Sequence, residues 1–146
     1  KAADLNANHE QLLFAAQEEQ NQTIQTSRIK DAAITSAKIL DGTWKVKDSH
    51  SVTKDGPIVD VFTTMTLNMS GGSKDGGNFS TSHNEDSGTE VWPNSGTWTF
   101  QNGDKNKLQR NDGVVMSISV TETTLRTSFT VSGGIKDGNW VFDFVK

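Results

Sequence analysis

Cysteine is absent from the 146-residue chain, which excludes a disulfide framework and any thiolate metal site and leaves the redox compartment open. Tyrosine is absent as well, so seven Phe and four Trp are the only large aromatic groups available to fill a core. Fourteen Lys and Arg stand against 18 Asp and Glu, a net charge of -4. The cations are scattered, whereas a nucleic-acid or anionic-membrane surface needs them clustered. No apolar run approaches the roughly 20 residues of a membrane-spanning helix. Position 1 is Lys and not Met, from which a cleaved or omitted upstream segment, such as a secretion signal, is expected. The length suits one domain with an appendage.

Glycine is missing from the first 41 residues: all 13 glycines, both prolines and all four tryptophans lie at or beyond Gly42. Two regions are therefore expected, a helical N-terminal arm or stalk over 1–41 and a β domain over 42–146. In the arm, Asp4, Asn6 or Asn8 can cap a helix whose Leu5, Leu12, Leu13, Ala15 and Ala16 form a narrow apolar stripe. Such a stripe buries little alone, so the arm should dock on something else. Leu12, Leu13, Phe14 and Ile29 are the expected contacts with a larger partner or with copies of the chain. Ile24, Ile29, Ile34 and Ile39 recur every five residues, matching neither the helical period nor the strand period. A helix can be drawn through Ile29, Ala33, Ala37 and Leu40. The five-residue spacing also resembles the isoleucine repeats in shafts of trimeric phage and bacterial fibres.

Beyond Gly42 apolar residues alternate. Val59-Val61-Thr63-Met65-Leu67-Met69, Val114-Met116-Ile118-Val120 and Leu125-Thr127-Phe129-Val131 each keep one parity, with Ser, Thr, Asn and Arg on the other. That is the pattern of antiparallel strands with one face in a core. Turn chemistry at Lys54-Asp55-Gly56-Pro57, Asn102-Gly103 and Asp112-Gly113 separates the runs. Gly42-Thr43-Trp44, Gly96-Thr97-Trp98 and Gly138-Asn139-Trp140 open three of them, each indole sharing the parity of the next apolar residue. Runs near 43–48, 58–70, 77–83, 96–101, 106–111, 113–121, 123–132 and 138–145 predict an up-and-down antiparallel eight-stranded barrel.

Leu40-Asp41-Gly42-Thr43-Trp44-Lys45-Val46 is similar to the Gly-x-Trp opening of lipocalins. Val91-Trp92-Pro93-Asn94-Ser95-Gly96-Thr97-Trp98, Leu108-Gln109-Arg110-Asn111-Asp112-Gly113-Val114 and Leu125-Arg126-Thr127-Ser128-Phe129 then resemble, in order, the lipocalin-like domains of Bacteroidota surface lipoproteins. The resemblance covers 40–146 and implies a calycin-type barrel that is exported and exposed at the cell surface or outer membrane. It also implies a late arginine over the first-strand tryptophan. The last strand ends in Lys146 with no arginine beside it, which leaves Arg110 or Arg126 to take that place.

Catalytic and metal chemistry find no foothold. His9, His50 and His83 stand apart without metal-ligand spacing and are expected at the surface. His83-Asn84-Glu85-Asp86 lacks the ligand pattern of a calcium loop and is expected to be a solvated loop. No Gly-x-Ser-x-Gly elbow occurs. Gly71-Gly72 and Gly76-Gly77 lack a phosphate-loop lysine and are expected to form a mobile connection. Neither a cofactor nor a metal is expected. If Trp44, Trp98 and Trp140 converge with Phe129 in the lumen, they either fill it or stack on an apolar or glycan ligand. Trp92, before Pro93 in a loop, is the expected exposed partner contact. Three functions remain open: a non-enzymatic surface-assembly module, a soluble carrier of a small apolar molecule or glycan, and a trimeric fibre-tip head.

Overall fold

A computed structural model describes residues 35–146, in which one short helix is followed by nine strands. Residues 35–40 are helical (α1). The strands are β1 (Gly42–Val46), β2 (Val52–Lys54), β3 (Thr66–Ser73), β4 (Gly76–Ser82), β5 (Ser95–Gln101), β6 (Asp104–Arg110), β7 (Val115–Val120), β8 (Thr124–Val131) and β9 (Gly138–Val145). From β3 to β9 each strand pairs antiparallel with the next, and β1 joins β3 to β9, closing an eight-stranded barrel. The extra strand β2 lies end to end with β1 along β9, pairing Val52 with Phe142.

Parity explains the wall. In β9, Trp140, Phe142 and Phe144 are buried while Asn139 is exposed, and in β8 Leu125, Thr127, Phe129 and Val131 point inward. Asn102 and Gly103 both take positive φ, as a tight hairpin between β5 and β6 requires. The parity reading fails in one place. The run expected over 58–70 becomes a strand only at Thr66, because Phe62 adopts a left-handed φ of 60° and turns its ring into the core. The strand β2 was not expected from the sequence. The paired glycines are not a mobile connection: Gly71, Gly72, Gly76 and Gly77 all lie within the β3–β4 hairpin. At Gly76 φ is +116°, and a Cβ there would collide with the carbonyl oxygen of Trp98.

The two barrel ends differ. The tight turns β3–β4, β5–β6 and β7–β8 gather where β1 starts, and α1 closes that end. Ala37 and Leu40 of α1 are fully buried, the Trp44 indole N–H donates to the Leu40 carbonyl at 2.8 Å, and the Gly72 N–H donates to the Asp41 carboxylate at 3.0 Å. Lys146 stands where the resemblance implies an arginine. Its Nζ lies 4.9 Å from the Trp44 ring centroid and donates to the Ile39 carbonyl at 3.0 Å. Arg126 instead pairs with Asp143 on the outer face, at 2.7 Å. The opposite end carries the longer connections, including 47–65 and 83–94.

Candidate functional site

Residues 83–94 link β4 to β5 across the long-loop end. A single 3₁₀ turn, Gly88–Glu90, redirects the chain, and Val91 and Trp92 that follow it are fully buried. Trp92 is therefore not the exposed contact expected of it. Its indole meets Phe79, Phe129, Phe142 and Phe144 edge to face, with centroids 5.3 to 6.2 Å apart, a favourable arrangement for aromatic quadrupoles. A loop before a proline reads as surface, yet this one folds its largest side chain into the lumen.

Arg110, at the end of β6, completes the plug. Its guanidinium carbon lies 5.3 Å from the Trp92 ring and 5.1 Å from that of Phe129. Nη1 donates to the Val91 carbonyl at 2.8 Å, while Nε and Nη2 grip Asp112 at 3.1 and 2.7 Å. A cation with 2% exposure needs such partners, because an unpaired buried charge is costly. Asp112 keeps about a third of its side chain in solvent. Burial pushes its carboxyl pKa up, but the hydrogen bonds from Arg110 and the Val114 N–H outweigh that and leave it below the ordinary carboxylate value.

The residues expected to line a ligand pocket are all buried, but Trp44 and Trp98 lie apart from Phe129 and Trp140. Trp44 sits under α1 with Lys146. Trp98 faces Phe100 at 5.1 Å. Trp140 stacks on Phe142, donates its indole N–H to the Lys136 carbonyl and lies under Lys54. Of the four, Phe129 and Trp140, paired across β8 and β9, both stack on Phe142, and Phe129 is also edge-on to Trp92. The centre is thus built around Trp92, with Phe142 as its hub. Leu12, Leu13, Phe14 and Ile29 lie outside the described residues.

His83 is half-buried and not at the surface as expected. It lies edge-on to Phe62 at 5.2 Å with Nε2 3.2 Å from the Trp92 carbonyl oxygen, and its buried Nδ1 has no hydrogen-bond partner among the described residues. Glu85 accepts from the Phe62 N–H at 2.9 Å, pinning the neighbouring loop. Among the described residues no three His, Asp or Glu side chains are placed to hold a metal ion. Ser49 and His50 touch at 3.2 Å, but both are exposed and Asp48 holds the His50 main-chain N–H, not its ring. Asp48 thereby fixes a turn, and its carboxyl pKa is lowered by hydrogen bonds first from Ser51 and then from the His50 N–H.

Concavities lie on the outer wall. One of about 630 Å³ runs over β7 and β8, lined by Asp112, Val115, Ser117, Ser128, Thr130 and Asn139 among others. A second of about 380 Å³ lies beside Lys47, Ser119, Arg126 and Asp143. A third of about 300 Å³ lies beside Thr97, Thr99, Gln109 and Asn111. No protein-family model, curated protein or solved structure matches the chain.

Proposed function

We propose that the chain is a non-enzymatic attachment module, a lipocalin-like barrel of the Bacteroidota surface-lipoprotein type that works at the cell surface or outer membrane. In this reading the residues before the barrel dock to a larger partner or to other copies of the chain, and the barrel is a rigid cap that meets its surroundings with its outer wall. The observation that carries it is the plug. Trp92, Phe129, Phe142 and Phe144 occupy the middle of the barrel, with Arg110 sealing them from the long-loop end. A carrier of a small apolar molecule needs that space open.

The test uses the full chain purified from its own source, beside the variant Leu12→Glu/Phe14→Glu. Native mass spectrometry is expected to find the full chain in an assembly larger than the monomer and the variant released from it, with no small molecule at one equivalent in an organic extract. A monomeric full chain, or a stoichiometric apolar compound in the extract, would contradict the proposal.

A further inference from the structure

Two buried polar groups inside the barrel have no hydrogen-bond partner among the described residues, and the ladder puts them in one place. They are the indole Nε1 of Trp92 and the hydroxyl Oγ1 of Thr127, on residues that are 0% and 1% exposed. Thr127 is the one polar side chain on the inward parity of β7, β8 and β9, where its companions are aliphatic or aromatic. It pairs with Ile118 on one side and with Phe142 on the other. Phe129 stands two residues further along β8, and Phe144 pairs with Leu125 two residues back. Trp92 meets Phe129, Phe142 and Phe144 edge to face at 5.3 to 6.1 Å. Its indole therefore spans the rings that surround Thr127.

Size and chemistry then narrow what lies between the two groups. Thr127 is smaller than Ile118, Phe129 or Phe142, so the inner wall dips where the indole crosses it. A buried N–H or hydroxyl left unbonded carries its full desolvation cost, and such groups are almost always satisfied by protein or by ordered water. The indole N–H only donates, whereas the hydroxyl donates or accepts. A water molecule answers both, since it accepts from the first and takes either role toward the second, within the roughly two to four bonds that a buried water makes. An apolar molecule would leave both groups unbonded. The other orphaned atoms among the described residues lie elsewhere: Trp98 Nε1 belongs to a ring against Gly77, and His83 Nδ1 to a ring against Gly88.

We propose that the barrel contains an internal water site, in which one water molecule accepts a hydrogen bond from the Trp92 indole and bonds the Thr127 hydroxyl. The site rests on the buried placement of Trp92 and not on where residues 1–34 dock, so its failure would leave the assembly test above unaffected. Oxygen-17 magnetic relaxation dispersion counts long-lived internal waters in the full chain and is blind to exchanging hydroxyl protons. Thr127→Val keeps the side-chain shape without the hydroxyl and should hold one long-lived water fewer than the unsubstituted chain, whereas Thr127→Ser should hold the same number. The difference is the readout, because waters at Trp98 or His83 would be common to all three chains. In the unsubstituted chain the Trp92 indole N–H, assigned in ¹⁵N NMR by its loss in Trp92→Phe, should also show a rotating-frame cross-peak to water. That measurement decides the matter if Thr127→Val fails to fold. An unchanged water count in folded Thr127→Val would overturn the proposal, as would the absence of the cross-peak. A Trp92 indole signal that shifts in Thr127→Val while the count stays constant would overturn it in favour of a direct bond between the two side chains.

Discussion

Replacing Trp92 with alanine removes the centre of the plug. The side chain is fully buried, and an aromatic side chain of this kind removes about 150 to 250 Å² from water. At roughly 25 cal/mol per Å² the transfer term is about 4 to 6 kcal/mol, close to the roughly 3 to 5 kcal/mol range of Trp→Ala changes in cores. Four edge-to-face contacts go with the indole, and Arg110 loses one of its two aromatic faces. Trp92→Ala should therefore cost about 4 kcal/mol, much of the roughly 5 to 15 kcal/mol that a domain has in total. Trp92→Phe keeps a ring in place and should cost about 1 to 2 kcal/mol. Urea unfolding followed by far-UV circular dichroism measures both. A cost under about 0.5 kcal/mol for Trp92→Ala is the value of a surface substitution and would refute the buried placement.

Lys146→Ala removes a cation over Trp44 and a bond to the Ile39 carbonyl; about 1 kcal/mol should be lost for an exposed side chain, with Lys146→Arg retaining most of it in the same urea assay. Gly72→Ala places a Cβ against the Ala37 carbonyl and the Asp41 carboxylate, so α1 must shift; calorimetry should register a loss of about 1 to 3 kcal/mol. The lowered carboxyl pKa values of Asp112 and Asp48 mean that the folded chain binds fewer protons than the unfolded one in the acid range. Their contribution is present above the ordinary carboxylate value and is lost as pH falls through the lowered folded values. Asp112→Asn should flatten part of that acid limb in urea titrations at stepped pH, and an unchanged limb would count against the Arg110 pairing.

Much of the wall was legible because pleat parity needs nothing beyond the sequence: Trp140-Val141-Phe142-Asp143-Phe144 could hardly face any other way. What parity cannot reveal is a loop that turns inward. Trp92 precedes a proline and has no alternating neighbours, so its burial depends on the distant Phe79, Phe129 and Phe142, which only the closed barrel brings together. Phe62 did carry a signal. It is a large apolar group on the wrong parity of Val59-Val61-Thr63-Met65, and the strand fails at that residue. The resemblance calls for an arginine above Trp44, yet Lys146 supplies both the charge and the donor there. The early end of the β7–β8 ladder at Ser117 and Ser128 left no trace in the alternation, since the residues beyond it keep their parity.

All four tryptophans lie among the described residues with at most 1% exposure, and tyrosine is absent, so acrylamide quenching of the intrinsic fluorescence interrogates the plugged barrel directly. One blue-shifted population, quenched far less than the same chain in urea, is the predicted result. A component worth one tryptophan in four, quenched as freely as in the unfolded chain, would contradict it.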